Sequence, residues 1–186
     1  MLTNKQELLL MASKRHYEQY GITDKFDRAV DAVLRTKSPE LCFKFALFIK
    51  EPLYIKFLQE VVLKSENPKY CYNFACMIKG ANIEALQQVV LDSRNLRYCC
   101  NFASNVRGAD VPAFQKIVED SWSTRYIYRF LMYVEKANKL PLCEFMIVHG
   151  NIYDNLRIKN AMPKIYKEAK LELEKKSQKN SDTKEM

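Results

Sequence analysis

A chain of 186 residues with 48% apolar content has the material for one core, and its four Gly and six Pro speak against a β-sandwich or a disordered chain. No apolar run reaches the ~20 residues that a membrane span needs. Residues 1–6 lack the charged stretch and small-residue cleavage site of a secretory signal, so the six cysteines are expected in a reducing, cytoplasmic compartment.

The net charge is +8, and half of the excess lies at the end: residues 156–186 hold nine Lys/Arg against five Asp/Glu, the rest of the chain 21 against 17. A solvated, frayed terminus accounts for this. A basic tail that meets nucleic acid or an acidic partner is the alternative.

In chain order, residues 5–20 are predicted as a first helix stopped by Gly21, and residues 25–35 as a second. Together they form an N-terminal cap over 1–37. Four hairpin units follow, at 38–66, 67–94, 95–122 and 123–150. Tyr70-Cys71-Tyr72-Asn73-Phe74-Ala75 returns 28 residues later as Tyr98-Cys99-Cys100-Asn101-Phe102-Ala103. Looser copies are Leu41-Cys42-Phe43-Lys44-Phe45-Ala46 and Tyr126-Ile127-Tyr128-Arg129-Phe130-Leu131. A fixed period of this size marks a helical-repeat protein.

Within a unit, apolar residues at 70, 71, 74, 75, 77 and 78 step by three and four, as on one face of a helix. Gly80-Ala81-Asn82 and Gly108-Ala109-Asp110 break the pattern. The glycines suit a left-handed helix end, and Asn82 and Asp110 suit the N-cap of the next helix. The second helices keep register through Leu58, Val61 and Val62, then Leu86, Val89 and Val90, then Phe114, Ile117 and Val118, with a looser Leu142, Phe145 and Met146. Helices of about ten residues are marginal alone and need each other to bury their stripes. Residues 147–156 are weakly patterned. A C-terminal cap helix is predicted within 161–176, and a disordered polar tail over 177–186.

The unit Tyr-Cys-Tyr-Asn-Phe-Ala, followed by Lys-Gly-Ala-Asn-Ile and Ala-Leu-Gln, resembles the class of α-helical hairpin repeats that includes HEAT, armadillo and tetratricopeptide arrays. Its period is shorter than theirs, and the tetratricopeptide and ankyrin signatures are absent. It is also similar to degenerate repeats of uncharacterised bacterial and phage proteins. The likeness covers roughly residues 33–148 and implies an all-α fold, a short right-handed solenoid with capping helices at both ends. It carries no catalytic residue across.

No P-loop, dinucleotide fingerprint, nucleophile elbow or His-Glu-x-x-His is present, so neither catalytic residues nor a cofactor are expected. His16 falls in the first helix, and His149-Gly150-Asn151 reads as a helix end. Cys42, Cys71 and Cys99 share a register with Ile127, which marks a small apolar core position, and no cysteine or histidine spacing suits a metal.

The most specific candidate is a polar ladder on the first helices. One rung position holds Glu40, Lys69, Arg97 and Arg125; the position one turn on holds Lys44, Asn73, Asn101 and Arg129. Residues four apart share a helix face, so stacking would line up Lys44, Lys69, Asn73, Arg97, Asn101, Arg125 and Arg129 into a strip. A plain solvated face is the bland alternative. A secondary row, Lys50, Lys79 and Arg107, is explained by favourable cation placement at helix C-termini. Trp122, in a turn, is either an interface anchor or a hinge packer. Tyr70, Tyr98 and Tyr126, with Tyr72 and Tyr128, read as core-edge residues beside the ladder.

The leading expectation is a non-enzymatic interaction module binding a protein or ribonucleoprotein, a phage-type inhibitor of a host defence complex being one concrete form. The second is nucleic-acid binding through the ladder and the basic C-terminal segment. The third is a HEAT-like enzyme acting on DNA bases.

Overall fold

The structure, a computed structural model, describes residues 2–182, and among them the chain is all α, with twelve helices and no strand. They are α1 (Asn4–Tyr20), α2 (Asp24–Arg35), α3 (Pro39–Ala46), α4 (Pro52–Lys64), α5 (Pro68–Met77), α6 (Ile83–Asp92), α7 (Leu96–Asn105), α8 (Val111–Asp120), α9 (Thr124–Tyr133), α10 (Lys139–His149), α11 (Ile152–Ala161) and α12 (Pro163–Asp182).

Local chemistry sets most of the boundaries. Thr3 and Gln6 form a capping box at α1, and Gly21 ends it at φ 69°. Ser38, Asn67, Asn82 and Asp110 each accept a backbone N–H at the start of their helices, the last two as the sequence pattern predicts. Gly80 and Gly108 work differently from the expected helix cap. Ala81 N–H reaches Ile78 O, and Ala109 N–H reaches Val106 O, so each glycine is the third residue of a tight turn, at φ 83° and 87°. That position in a type II turn requires positive φ.

A second turn recurs at the ends of α2, α4, α6 and α8. In each, a hydroxyl side chain donates to the carbonyl three residues back: Thr36 to Val33, Ser65 to Val62, Ser93 to Val90 and Ser121 to Val118, all at 2.6–2.7 Å. The same oxygen accepts the N–H two residues on. The residue between is left-handed each time: Lys37, Glu66, Arg94 and Trp122, with φ of 48–53°.

The repeat register is the core. Cys42, Cys71, Cys99 and Ile127 are fully buried, as are Phe45, Phe74, Phe102 and Phe130. From the second helices, Leu58, Leu86, Phe114 and Leu142, then Val62, Val90, Val118 and Met146, are buried just as completely. Positions recurring every 28–29 residues thus meet the same environment, an arrangement compatible with a helical repeat.

The chain divides into two compact units. One is Met1–Tyr98 with Asn105–Ala109, the other Cys99–Ser104 with Asp110–Met186, so the boundary runs through α7. In the first unit α1 packs on α3 and α3 on α5, while α2 packs on α4 and α4 on α6. Each helix thereby meets its hairpin partner and the like helix one period away. In the second unit α8 packs on α9, α9 on α10, and α10 on both α11 and α12, with Ile158 and Ala169 buried.

The C-terminal region differs most from the sequence reading. α11 fills part of the stretch read as weakly patterned, opened by Asn151, whose side chain accepts Asp154 N–H. α12 runs to Asp182, past Ser177 where disorder was expected to begin. Residues 183–186 of that expected tail lie outside the described residues.

Candidate functional site

The ladder divides into residues spent on the protein itself and residues left facing solvent. In the first unit Lys44 Nζ lies 2.9 Å from Glu40, one turn earlier on α3. That contact with Lys44 holds the Glu40 carboxyl down at about 2. Tyr70 Oη donates to the other oxygen of Glu40 at 3.2 Å, fastening α5 to α3. Asn73 is half-buried in the middle of α5. In the second unit Arg129 donates to Asn101 Oδ1 at 2.8 Å, joining α9 to α7. Lys44, Asn101 and Arg129 are therefore partly neutralised or satisfied internally.

Lys69, Arg97 and Arg125 are different. All three are exposed, none has an ion pair among the described residues, and each sits over the ring of the next residue. Lys69 Nζ is 5.3 Å from the Tyr70 centroid; Arg97 and Arg125 are each 5.9 Å from the centroids of Tyr98 and Tyr126. These distances are within cation–π range. Around the first pair and the second, the Tyr72 ring lies 6.2 Å from that of Tyr98, and Asn105 donates to Tyr72 Oη. The tyrosines are half-buried, which agrees with their reading as core-edge residues.

Of the secondary residues, Lys79 and Arg107 are exposed and lie in the hairpin turns, beyond the last helical turn. The helix-dipole explanation thus does not place them where it required. Trp122 is 68% exposed although its ring lies edge-on to Phe145 at 5.5 Å and His149 at 5.6 Å. It packs its turn against α10 and still offers most of its surface to solvent. His149 ends α10, and Gly150 is there for space: a Cβ would sit 2.4 Å from Met146 O. His16 Nε2 is 2.7 Å from Thr23 Oγ1, at the α2 N-cap.

All six cysteines are free, and burial pushes the thiols of Cys42, Cys71 and Cys99 up to about 12. No group of three His, Cys, Asp or Glu among the described residues could hold a metal. Among the described residues, no helix is long and apolar enough to cross a membrane.

Two buried glutamines escaped the sequence reading. Gln59 Oε1 accepts the N–H of Asn82, the N-cap of α6, at 2.9 Å. Gln115 accepts Asn138 N–H at 2.8 Å and donates to Asn138 O at 2.9 Å, gripping both backbone groups of the α10 N-cap. Their signal was present: Gln59, Gln87 and Gln115 recur every 28 residues, each after a buried Leu or Phe.

Fold and surface together describe an all-α protein whose unpaired cations recur in step with its helix pairs. No protein-family model, no curated protein and no solved structure matches this chain.

Proposed function

We propose that this protein is a non-enzymatic interaction module, built as a short solenoid of HEAT- or armadillo-like helix pairs, that binds a protein or ribonucleoprotein partner through the N-terminal ends of its first helices. The observation that carries this is the repetition of one exposed pair: Lys69–Tyr70, Arg97–Tyr98 and Arg125–Tyr126. Each cation is the second residue of its helix, where the macrodipole disfavours positive charge by about 0.3–1 kcal/mol. The neighbouring tyrosine returns about 0.5–1 kcal/mol at an exposed site. For the fold alone the arrangement roughly breaks even, so a cation kept at three successive positions is better explained by an anionic partner. Arg and Tyr are also the residues that anchor interfaces.

Single-stranded nucleic acid is the second reading, favoured by the same juxtaposition of cation and ring, which suits phosphate and base together. The two are separated by one pair of experiments on wild type and an Arg97→Ala/Arg125→Ala variant. Anisotropy of labelled RNA and DNA across a salt series should show steep, variant-sensitive binding if nucleic acid is the ligand. If it does not, cross-linked capture should retrieve a partner that the variant loses, with nuclease sensitivity marking a ribonucleoprotein. Absence of a variant-sensitive ligand in both would overturn the proposal.

A further inference from the structure

In the first unit a groove of about 580 Å³ opens between the hairpin turn around Leu47–Lys50 and the turn around Met77–Gly80. Its floor is apolar: Ile49, Ile55 and Ile78 are each no more than 6% exposed. Its walls are apolar and open, Leu47 at 47% and Met77 at 61% exposure. Its charged lining residues are Lys50 and Lys79, one from each turn, both exposed and neither in an ion pair among the described residues. A volume of this size is typical of ligand pockets. Methionine makes a wall that adapts to what it contacts.

The apolar wall is not a by-product of the repeat. The residue 28 positions after Met77 is Asn105, whose side chain is committed to Tyr72 Oη. The cationic edge does continue there, as Arg107. The groove also lies at the far end of α5 from Lys69, about 15 Å along a ten-residue helix. It is thus a second surface, separate from the cation–tyrosine pairs.

We propose that this groove docks an acidic peptide segment of a protein partner, with one apolar side chain seated between Leu47 and Met77 and carboxylates on either side meeting Lys50 and Lys79. Charge complementarity selects the occupant. A second copy of this chain, at net +8, would bring like charge against the two lysines. Nucleic acid would satisfy the lysines and leave the apolar floor and walls empty.

The probe is a short fluorescein-labelled peptide with one phenylalanine among aspartates, compared with versions in which alanine replaces the phenylalanine or asparagines replace the aspartates. Anisotropy gives affinity, and methyl NMR of the full chain gives location. Binding should weaken about tenfold with either altered peptide, and about tenfold again in Met77→Gln or Leu47→Gln, which remove the apolar wall without adding charge at exposed positions where the fold tolerates change. The methyls of Met77 and Ile78 should shift. Equal affinity for the alanine peptide, no binding up to millimolar peptide, shifts confined to the Lys69 and Arg97 end of the unit, or a concentration-dependent dimer dispersed by Met77→Gln would each overturn the assignment.

Discussion

At the scale of single residues, the least expected feature is that four non-glycine residues hold left-handed backbone at one point of the period. Lys37, Glu66, Arg94 and Trp122 follow a hydroxyl residue that binds backbone on both sides. The hydroxyl bonds make the turn, and the residue after it bears a cost of about 1–2 kcal/mol for an L side chain in this region. Glycine removes that cost but gains freedom in the unfolded chain. Glu66→Gly and Arg94→Gly should therefore each raise stability by about 0.5–1 kcal/mol, read as a higher urea midpoint at unchanged slope. Trp122→Gly should not, because it also loses the contacts with Phe145 and His149.

The cysteines make a second residue-scale test. Cys76 is exposed, whereas Cys42, Cys71, Cys99, Cys100 and Cys143 are buried, with thiols raised to about 11 or 12 by desolvation. The thiolate is the reactive form. Alkylation of native protein near pH 8 should modify Cys76 alone, and all six after denaturation, with tryptic mass mapping as the readout. Even Cys76 should react more slowly than a free thiol, since partial burial raises its pKa too.

At the scale of the element, local chemistry sets the helix ends and the buried apolar register packs the helices, while Gln59 and Gln115 add polar ties between successive second helices. Each reaches from a second helix to the backbone that starts another second helix 23 residues on. Replacing Gln115 with Ala removes both of its bonds to the backbone of Asn138, an exposed N-cap that water can reach, and should cost about 1–3 kcal/mol, against about 0.5–1.5 kcal/mol for Gln59→Ala, which removes one. Chemical denaturation measures both, and hydrogen exchange at the start of α10 should quicken in the first. A glutamine inside an apolar stripe reads from sequence as a solvated position, because the backbone group it meets is invisible to a periodicity argument.

At the scale of the whole molecule, the first unit carries an acid-sensitive tie. Glu40 is lowered from 4.5 to about 2, the hydrogen bond from Lys44 being the largest cause. The folded value is depressed, so its contribution is complete above the ordinary carboxylate range and is lost as pH falls from about 4.5 to about 2. Stability should decline over that window, and Lys44→Ala should flatten the decline, as urea midpoints at pH 5 and pH 2.5 would show. The division into two units was not legible in the repeat. α7 is one of the two best copies of the motif, yet the boundary passes through it.

The sequence by itself determined the helix pairs, the N-caps Asn82 and Asp110, the break at each hairpin glycine and the buried register of Cys, Phe, Leu and Val. These depend on neighbours within about four residues and on a period that repeats them. It also marked the ladder. Only the tertiary structure decided which rungs are consumed, Lys44 by Glu40 and Arg129 by Asn101, and which are left over a tyrosine in solvent. It alone revealed the glutamine grips, α11 and the Leu47–Met77 groove. Those features are contacts between side chains and backbone brought together across a turn or from 20–30 residues away, and a one-dimensional period records that positions are alike without recording what they touch.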